Sequence, residues 1–380
     1  MIFLALFIFV IYGLLILFLA KGFDQLKPPN VTKNKANTAF SILVPFRNEA
    51  SNLPQLLNSF TALDYPKNKI EIILINDRSD DNFEQVISEF RHDHKALNLV
   101  LIHGQSDSKS PKKDAIELGL SKASNPWIIT TDADCVVPRN WLLAFNDFIA
   151  SDAPKMIVAP VTYFPGKGFL NKFQLLDFLS LQGTTIGSFG LKGKGFSRPF
   201  LCNGANLCYE KKAFSDVDGY EGNRDIASGD DVFLLEKMYD KFQHKVKFLK
   251  SEDAIVRTSA KESLKGLIQQ RIRWAAKTNA YRHSFGKLVG LTVFLANIFI
   301  IILLTLSILN KFSWGYFGFF FLLKFNLDFL LLYKTASFFN QKEVLSSYFF
   351  SSLAYPFFTV FVALLSFRRS YTWKESTFHK

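Results

Sequence analysis

The first 20 residues of this 380-residue chain contain no charged side chain. An α-helix of that length rises about 30 Å, which is enough to cross the hydrocarbon core of a bilayer. Cations follow the run at Lys21, Lys27, Lys33 and Lys35, whereas no charge precedes it. A cleaved signal peptide would instead begin with basic residues and end in a small-residue cleavage site. The pattern predicts a transmembrane anchor over residues 1–20, with the N-terminus outside and the domain that follows in the cytoplasm.

Three further apolar segments lie near the C-terminus, at Leu288–Leu309, Ser313–Tyr333 and Tyr348–Phe367. Each is long enough to cross a bilayer, so the sequence predicts about three helices in a membrane region over residues 288–380, which ends in a short tail. With the N-terminus outside, four spans would place the C-terminal tail outside as well. The cations of the tail favour the cytoplasm instead, so the side of the membrane on which the tail lies is left open. These cations are Arg368, Arg369, Lys374 and Lys380.

One of these segments contains two opposite charges, Lys324 and Asp328, four residues apart. Residues at this spacing lie on one face of a helix. Charged side chains inside a membrane are costly, and they either pair with one another or serve binding and transport. We interpret the two residues as an ion pair that faces a neighbouring helix, with a role in substrate binding as the alternative.

Composition supports a membrane protein that carries a folded domain. Hydrophobic residues make up 49% of the chain, with 42 Phe, and charged residues only 21%, which excludes a disordered or collagen-like protein. The three cysteines, Cys135, Cys202 and Cys208, do not have the spacing of a zinc site. Their odd number also argues against a disulfide framework and favours a reducing cytosol around the domain.

Between the membrane segments, a polar linker over residues 21–38 leads into short apolar runs that alternate with helix-like patterns. The runs are too short for helices and nearly continuous in apolar residues, which is typical of strands buried on both faces of a parallel sheet. They are Phe40–Phe46, Ile70–Asn76, Leu97–His103 and Pro126–Thr131. The intervening helices are predicted at Ser51–Leu63, Asn82–His94, Pro111–Ala123 and Pro138–Ala150. This alternation predicts an open α/β sheet in a domain over residues 39–258.

Ligands of open α/β sheets bind beyond the carboxyl ends of the strands. Polar segments directly follow three of the predicted strands, at residues 47–49, 77–79 and 132–134. The last segment contains Asp132 and Asp134, which can share one divalent cation and a diphosphate because Mg²⁺ and Mn²⁺ prefer oxygen ligands. The same spacing recurs at Asp216-Val217-Asp218, which we interpret as a turn before a glycine. The position at a strand end distinguishes the first pair as a metal site.

A second acidic pair, Asp230 and Asp231, opens an apolar helical stretch. Carboxylates are common in the first turn of a helix, because they interact favourably with the positive end of its dipole. The functional alternative is a general base, since repulsion between adjacent carboxylates favours a proton on one of them. Local sequence alone supports both interpretations equally.

A basic, helix-like segment over residues 259–287 precedes the C-terminal membrane region. Its cations are Lys261, Lys265, Arg271, Arg273, Lys277, Arg282 and Lys287. Cations and a tryptophan at this position are typical of an interfacial helix that faces anionic lipid. That interpretation does not explain why Gln270, Arg273 and Trp274 share one helical face.

Six short motifs occur in order between about Ser41 and Trp274. They are Val44-Pro45-Phe46-Arg47-Asn48-Glu49, Ile75-Asn76-Asp77-Arg78-Ser79, Pro111-Lys112-Lys113-Asp114-Ala115-Ile116, Asp132-Ala133-Asp134, Asp230-Asp231 and Gln270…Arg273-Trp274. Together they resemble the membrane-bound members of glycosyltransferase family 2, which include ceramide glucosyltransferase and the cellulose and hyaluronan synthases. The last motif is the most specific single match. Asn76, Arg78 and Pro111 depart from the family pattern, which has Asp, Gly and Gly there.

The resemblance implies an α/β nucleotide-diphospho-sugar transferase domain (GT-A, Rossmann-like) with flanking transmembrane helices. It also implies an inverting transfer from a nucleotide sugar, with a divalent cation as cofactor. For the donor, the resemblance implies that Glu49 and Asp77 contact the nucleotide base and ribose, and that Lys112 lies near the diphosphate. Asp132 would face the nucleotide sugar, and Asp134 would hold the metal. Asp231 would be the general base, supported by Asp230. Gln270, Arg273 and Trp274 would border the acceptor mouth and contact the departing diphosphate.

The sequence therefore predicts a multi-pass glycosyltransferase of the cell membrane that moves a sugar, from a UDP-sugar, to a lipid or lipid-linked saccharide at the cytoplasmic face. The alternative within the family is a processive polysaccharide synthase, although three C-terminal spans are few for a translocation pore. A non-enzymatic scaffold or sugar-nucleotide binder would not need the acidic pair, and a nucleotidyltransferase would not need the Gln270 motif. The net charge of +12 does not indicate nucleic-acid binding, because the excess cations cluster beside membrane segments.

Overall fold

The computed structural model describes residues 1–29, 35–104, 110–191, 197–226 and 228–366, together with the backbone of residues 370–373 and 376–379. The tail cations Arg368, Arg369, Lys374 and Lys380, and Lys33 of the linker, lie outside the described residues. The chain divides into two compact units. We call the first the helical unit (Met1–Leu26, Pro165–Phe200 and Ala260–Lys380) and the second the sheet unit (Lys27–Phe164 and Leu201–Ser259).

The described residues form twelve strands and twelve α-helices. The strands are β1 (Phe40–Phe46), β2 (Ile70–Asn76), β3 (Asn98–His103), β4 (Trp127–Thr130), β5 (Cys135–Val136), β6 (Met156–Val158), β7 (Val161–Tyr163), β8 (Leu207–Glu210), β9 (Val246–Phe248), β10 (Val256–Thr258), β11 (Ser370–Trp373) and β12 (Ser376–His379). The helices are α1 (Ile2–Gln25), α2 (Leu53–Thr61), α3 (Phe83–Asp93), α4 (Pro111–Lys122), α5 (Trp141–Asp152), α6 (Phe169–Gly190), α7 (Lys211–Asp216), α8 (Asp230–Phe242), α9 (Leu264–Ala276), α10 (Ser284–Ile308), α11 (Trp314–Phe338) and α12 (Tyr348–Ser366).

The sheet unit is built on a seven-stranded sheet in the order β3-β2-β1-β4-β8-β6-β9. Strands β1 to β4 pair in parallel, as the continuous apolar runs predict. Strand β8 is antiparallel to both of its neighbours, so the sheet is mixed. A separate three-stranded sheet has the order β5-β10-β7. The predicted open α/β fold is confirmed, and the four strands predicted from sequence are its parallel part.

The first half of this sheet forms a close-packed core. Every residue of β2 is buried, and six of the seven residues of β1 are. Helix α4 approaches these strands closely at Gly119, where an added Cβ would lie 3.0 Å from Ile75 and 3.2 Å from Leu43. This contact holds the second half of α4 against β1 and β2, about two turns after Lys112.

Four helices of the helical unit are long and apolar enough to cross a membrane, namely α1, α10, α11 and the segment Lys342–Ser366 that ends in α12. They correspond to the four spans that the sequence predicts. Large apolar side chains on their outer faces are exposed, with Phe3 at 88% and Phe7 at 63%. Exposed side chains of this kind are expected where a helix faces lipid.

Helix α6 is a component of the helical unit that the sequence does not reveal. It contacts α1 through glycines, because a Cβ at Gly187 would lie 2.5 Å from the carbonyl oxygen of Leu19, and one at Gly190 would lie 1.7 Å from that of Gly22. Small residues at such positions let helix backbones pack closely. The segment Pro165–Phe200 thus groups with the helical unit, although it lies inside the predicted domain over residues 39–258.

Candidate active site

In the sheet unit, one lysine and three aspartates meet at the carboxyl end of the sheet. Lys112 Nζ donates to Asp132 Oδ1 at 2.7 Å and lies 3.3 Å from Asp230 Oδ2. We call Lys112, Asp132, Asp230 and Asp231 the carboxylate cluster. Burial disfavours the charged form of Lys112, but the carboxylates of Asp132 and Asp230 outweigh it and raise the pKa of this lysine. Lys112 is therefore a permanent cation among the acids.

Each member of the cluster is fixed by the element that carries it. Asp132 follows β4, and Lys112 lies in the first turn of α4. Asp230 and Asp231 form the first turn of α8, where the helix dipole favours negative charge. The backbone N–H of Val232 donates to Asp231 Oδ1 at 2.8 Å. The acidic pair thus lies at a helix N-terminus and also forms part of a cluster with Lys112. The role as first-turn helix residues and the role in catalysis are therefore compatible.

Gly204 is a component of the site that sequence reasoning missed. Its N–H lies 3.3 Å from Asp231 Oδ2, and its carbonyl accepts a hydrogen bond from Thr130 Oγ1 at 2.8 Å. A Cβ at this position would lie 2.9 Å from Asp230 Oδ2, so only glycine lets the backbone approach the acidic pair this closely. The dipeptide Asn203-Gly204 indicates a turn in the sequence but not what the turn contacts.

The start of α4 is also tied to the segment that precedes the acidic pair. Ser110 Oγ donates to the carbonyl oxygens of Arg224 and Ile226 at 2.6 and 2.7 Å. Lys113 Nζ donates to the carbonyl oxygens of Asn223 and Ile226 at 2.6 and 2.7 Å. These bonds hold the first turn of α4, which contains Lys112, next to the segment that leads into α8 and Asp230.

The other predicted donor-binding residues, Glu49 and Asp77, lie in the loops that follow β1 and β2. The N–H of Asn48 donates to Ser79 Oγ at 2.9 Å, and the N–H of Asp80 donates to Asn48 Oδ1 at 3.0 Å, so the two loops are held together. Arg78, which stands where the family pattern has Gly, adopts a left-handed φ of 54°. The backbone conformation that favours glycine is therefore kept with an arginine there.

The predicted metal ligands are Asp132 and Asp134, on either side of the turn that leads to β5. Asp134 Oδ1 lies 3.7 Å from Cys135 Sγ. No group of three or more acidic, histidine or cysteine side chains within the described part of the chain converges as a metal site. A pair of carboxylates still fits a hard divalent cation, because Mg²⁺ commonly binds through one or two carboxylates and substrate phosphates.

In the helical unit, the Gln270 motif lies on α9 and is held by Arg271. The sequence predicts Arg271 among the cations that face lipid, whereas its side chain is buried and paired with Asp177. Arg271 Nε donates to Asp177 Oδ2 at 2.6 Å, and Arg271 Nη1 donates to Gln270 Oε1 at 2.5 Å. The guanidinium also lies 4.2 Å from the ring centroid of Trp274. On the other side, the Trp274 ring contacts Phe178, with centroids 6.0 Å apart. Helix α6 therefore orients two of the three motif residues.

The predicted helix around this motif is shorter than expected. Helix α9 ends at Ala276 and a 3₁₀ turn follows at Lys277–Ala280, before α10 begins at Ser284. At its start, Ser263 Oγ accepts from the N–H of Gly266 at 3.1 Å, as an N-cap residue does. Gln270, Arg273 and Trp274 all lie within α9.

Known proteins resemble this chain in sequence. The family model for Glycosyl transferase family 2 matches residues 41–216. The poly-beta-1,6-N-acetyl-D-glucosamine synthase of Staphylococcus epidermidis is 28% identical over 238 residues, which are 62% of this chain and 53% of that protein. The glycosyltransferase AglE of Haloferax volcanii is 28% identical over 200 residues, which are 53% of this chain and 61% of that protein. The chain thus spans between about half and two thirds of the length of these relatives.

Among solved structures, the mannosyltransferase PcManGT from Pyrobaculum calidifontis, in complex with GDP-Man and Mn²⁺, has a TM-score of 0.57 to this chain at 16% identity. The alignment covers 92% of this chain and 97% of PcManGT. At this identity the likeness shows the fold alone. It confirms the predicted nucleotide-sugar transferase architecture of the GT-A type.

Proposed function

We propose that this chain is a glycosyltransferase of family 2 that carries out an inverting transfer from a UDP-sugar to a lipid or lipid-linked saccharide. The observation that carries the proposal is the carboxylate cluster, in which Lys112 lies between Asp132 and Asp230 beside Asp231. A nucleotide sugar needs its diphosphate neutralised as it leaves, and an acceptor hydroxyl needs a base.

In the proposed reaction, Asp231 accepts the proton of the acceptor hydroxyl as the oxygen attacks the anomeric carbon. The new glycosidic bond forms on the face opposite the diphosphate, whose bond to the sugar breaks in the same step. Lys112 supplies positive charge near the departing diphosphate, and Asp230 keeps Lys112 in place. One displacement inverts the anomeric configuration and requires no nucleophilic carboxylate.

Asp132 and Asp134 would hold the divalent cation. When bound, such an ion acts as a Lewis acid that neutralises charge on the diphosphate. The remaining assignments follow the resemblance: Glu49 and Asp77 bind the nucleoside, whereas Gln270, Arg273 and Trp274 serve the acceptor and the diphosphate.

A lipid acceptor is supported by the charge and composition around α9. The segment from Lys261 to Lys287 carries seven cations and only Glu262 against them. Arg271 and Lys277 are buried, and Arg271 pairs with Asp177, so the other five cations are the ones that can face lipid. The helix that follows is apolar enough to enter a bilayer. Basic residues and a tryptophan in this position are suited to an anionic cytoplasmic leaflet. We accordingly propose a multi-pass membrane enzyme whose catalytic residues face the cytoplasm.

A processive polysaccharide synthase is the second candidate, and one observation favours it. The Staphylococcus epidermidis relative is by name the synthase of a polysaccharide, at 28% identity. A single-transfer enzyme gives one product of fixed size, whereas a synthase gives a ladder or a long polymer.

The test is incubation of membranes containing the full chain with labelled UDP- and GDP-sugars and Mn²⁺ or Mg²⁺. The expected result is label from a UDP-sugar in the organic-extractable lipid fraction, as a product one sugar larger than its acceptor. Long polymer in the aqueous fraction would replace the lipid proposal with the synthase, and label from GDP-sugars alone would overturn the proposed donor.

A further inference from the structure

The helical unit encloses a cavity of about 90 Å³ that the proposed reaction does not use. Its wall is formed by five helices, α1, α6, α10, α11 and α12, and all of them except α10 contribute polar side chains. The polar residues include Tyr12, Asp177, Ser180, Thr184, Asp328 and Ser351. The volume corresponds to about three water molecules, so it admits a small polar group of a few atoms.

One hydroxyl on this wall has no hydrogen-bond partner. Ser351 is only 3% exposed, and its Oγ is buried without a donor or acceptor nearby. Buried polar groups are normally hydrogen-bonded, and leaving one unpaired costs about 1–3 kcal/mol. One turn further along α12, Pro356 has no N–H to donate to the carbonyl of Ser352, another lining residue. This part of the wall therefore offers both a donor and acceptors to a ligand.

Other hydroxyls on the wall present oxygen atoms as acceptors. Ser180 Oγ donates to the carbonyl of Asp177 at 2.7 Å, and Thr184 Oγ1 donates to that of Ser180 at 2.9 Å. Since each of these hydroxyl protons is already committed, the two hydroxyls offer only lone pairs to a ligand, and Ser180 also shares a hydrogen bond with the Tyr355 hydroxyl. A ligand that both donates and accepts, such as an alcohol, matches this set of groups.

The charges on the wall are balanced. Lys324 Nζ donates to Asp328 Oδ2 at 2.6 Å, and the Tyr12 hydroxyl donates to the same carboxylate. Asp177 is paired with Arg271. No net charge is left to bind an ionic head group, and the carboxylates oppose a phosphate.

We propose that this cavity binds the hydroxyl-bearing head of an uncharged membrane lipid, of the diacylglycerol type. Apolar residues complete the wall, among them Ile16, Leu176, Val293 and Leu331, and they suit the hydrocarbon next to such a head group. The inference concerns lipid binding, and it stands whether or not this lipid is the acceptor.

The test uses the full chain in phosphatidylcholine nanodiscs that contain a trace of photoactivatable diacylglycerol or of photoactivatable phosphatidic acid. After irradiation, labelled peptides are mapped by mass spectrometry. We expect the diacylglycerol probe to label the cavity-lining segments of α6 and α12, and the anionic probe to leave them unlabelled. Ser351→Leu fills the cavity and should abolish that labelling. Ser351→Ala keeps the volume and should reduce it roughly two- to tenfold, the effect of one lost hydrogen bond.

Phe350→Leu is the matched control, since Phe350 is adjacent on α12 but 64% exposed and absent from the cavity wall. It should leave labelling unchanged. Equal labelling of the cavity in the wild type and both Ser351 variants would overturn the proposal, as would a cavity that only water fills and no probe labels. Nucleotide-sugar turnover, measured in the same nanodiscs, tests the proposed glycosyltransferase function separately. Labelling of the cavity without turnover would support lipid binding and reject the proposed transfer.

Discussion

The ammonium of Lys112 lies 2.7 Å from a carboxylate oxygen of Asp132, across 20 residues of sequence. This distance links the N-terminus of α4 to the end of β4, two places where an open sheet presents ligand-binding groups. The same ammonium lies 3.3 Å from Asp230, so one cation joins the predicted diphosphate site to the acidic pair of α8. The relationship makes Lys112 the most informative position for a first substitution.

Lys112→Gln should lower the transfer rate at saturating donor by about 10²–10³-fold, because removal of one charge-stabilising donor typically has that effect. Lys155→Gln is a matched control: Lys155 pairs with Glu210 elsewhere in the sheet unit, and its side chain is 28% exposed against 23% for Lys112. The rate of the control should stay close to that of the wild type. Equal rates in both variants would show that Lys112 has no role at the diphosphate.

Removal of divalent cations should stop transfer, and added Mn²⁺ or Mg²⁺ should restore it. Asp134→Asn should raise the metal concentration needed for half-maximal rate by about tenfold or more, as loss of a supporting ligand does. Asp218→Asn is the control, since Asp218 belongs to the second Asp-x-Asp sequence and lies in a turn with a φ of 54°. Full activity in the presence of a chelator would exclude a metal role for Asp132 and Asp134.

Gly229→Ala should destabilise the protein and lower activity together. Gly229 has a φ of 89°, and an added Cβ would lie 2.6 Å from the ring of Phe233. The strain alone is of order 1–3 kcal/mol, and the clash would displace the start of α8 with its acidic pair. Gly222→Ala has similar strain, at a φ of 76°, but no atom within 4 Å. Thermal unfolding should therefore show a larger loss for Gly229→Ala, and an equal loss would contradict the close packing at Phe233.

Asp177→Ala should lower the free energy of unfolding by about 3–5 kcal/mol, because it removes the carboxylate that contacts the buried guanidinium of Arg271. The two side chains are only 7% and 6% exposed. The control is Asp24→Ala, which breaks an exposed pair with Lys334 in the same unit and should change the free energy by at most about 1 kcal/mol. Unfolding of both variants in detergent measures the difference, and equal stabilities would contradict the buried ion pair.

Strands β1, β2 and β4 could be predicted from sequence because burial on both faces makes their apolar runs continuous. Strand β3 has an apolar run as well, although it is an edge strand with no buried residue. Strands β1 and β2 have the predicted limits, Phe40–Phe46 and Ile70–Asn76. Strands β6, β7, β9 and β10 have only three residues each, too few for any periodicity to appear. The antiparallel pairing of β8 depends on partners far away in sequence, which a local pattern does not contain.

The position of Asp132 after β4 could be predicted from sequence, whereas its contact with Lys112 of α4 and the nearby acidic pair of α8 depend on tertiary structure. Gly204 matters because of an absent side chain, and Arg271 occupies a position that its motif leaves unspecified. Helix α6 carries polar residues such as Gln174 and Asp177, so its composition did not distinguish it from a helix of the sheet unit. Their roles arise from tertiary contacts, which local sequence patterns cannot report.

The most direct test of the central claim is the comparison of Asp231→Asn with Asp240→Asn, an exposed acid on the same helix α8. Nucleotide-sugar binding and sugar transfer are measured on the same purified preparations. We expect Asp231→Asn to retain donor binding but lose transfer by about 10²–10⁴-fold, the usual contribution of a general base, and Asp240→Asn to keep both. Undiminished transfer by Asp231→Asn would show that Asp231 is not the general base.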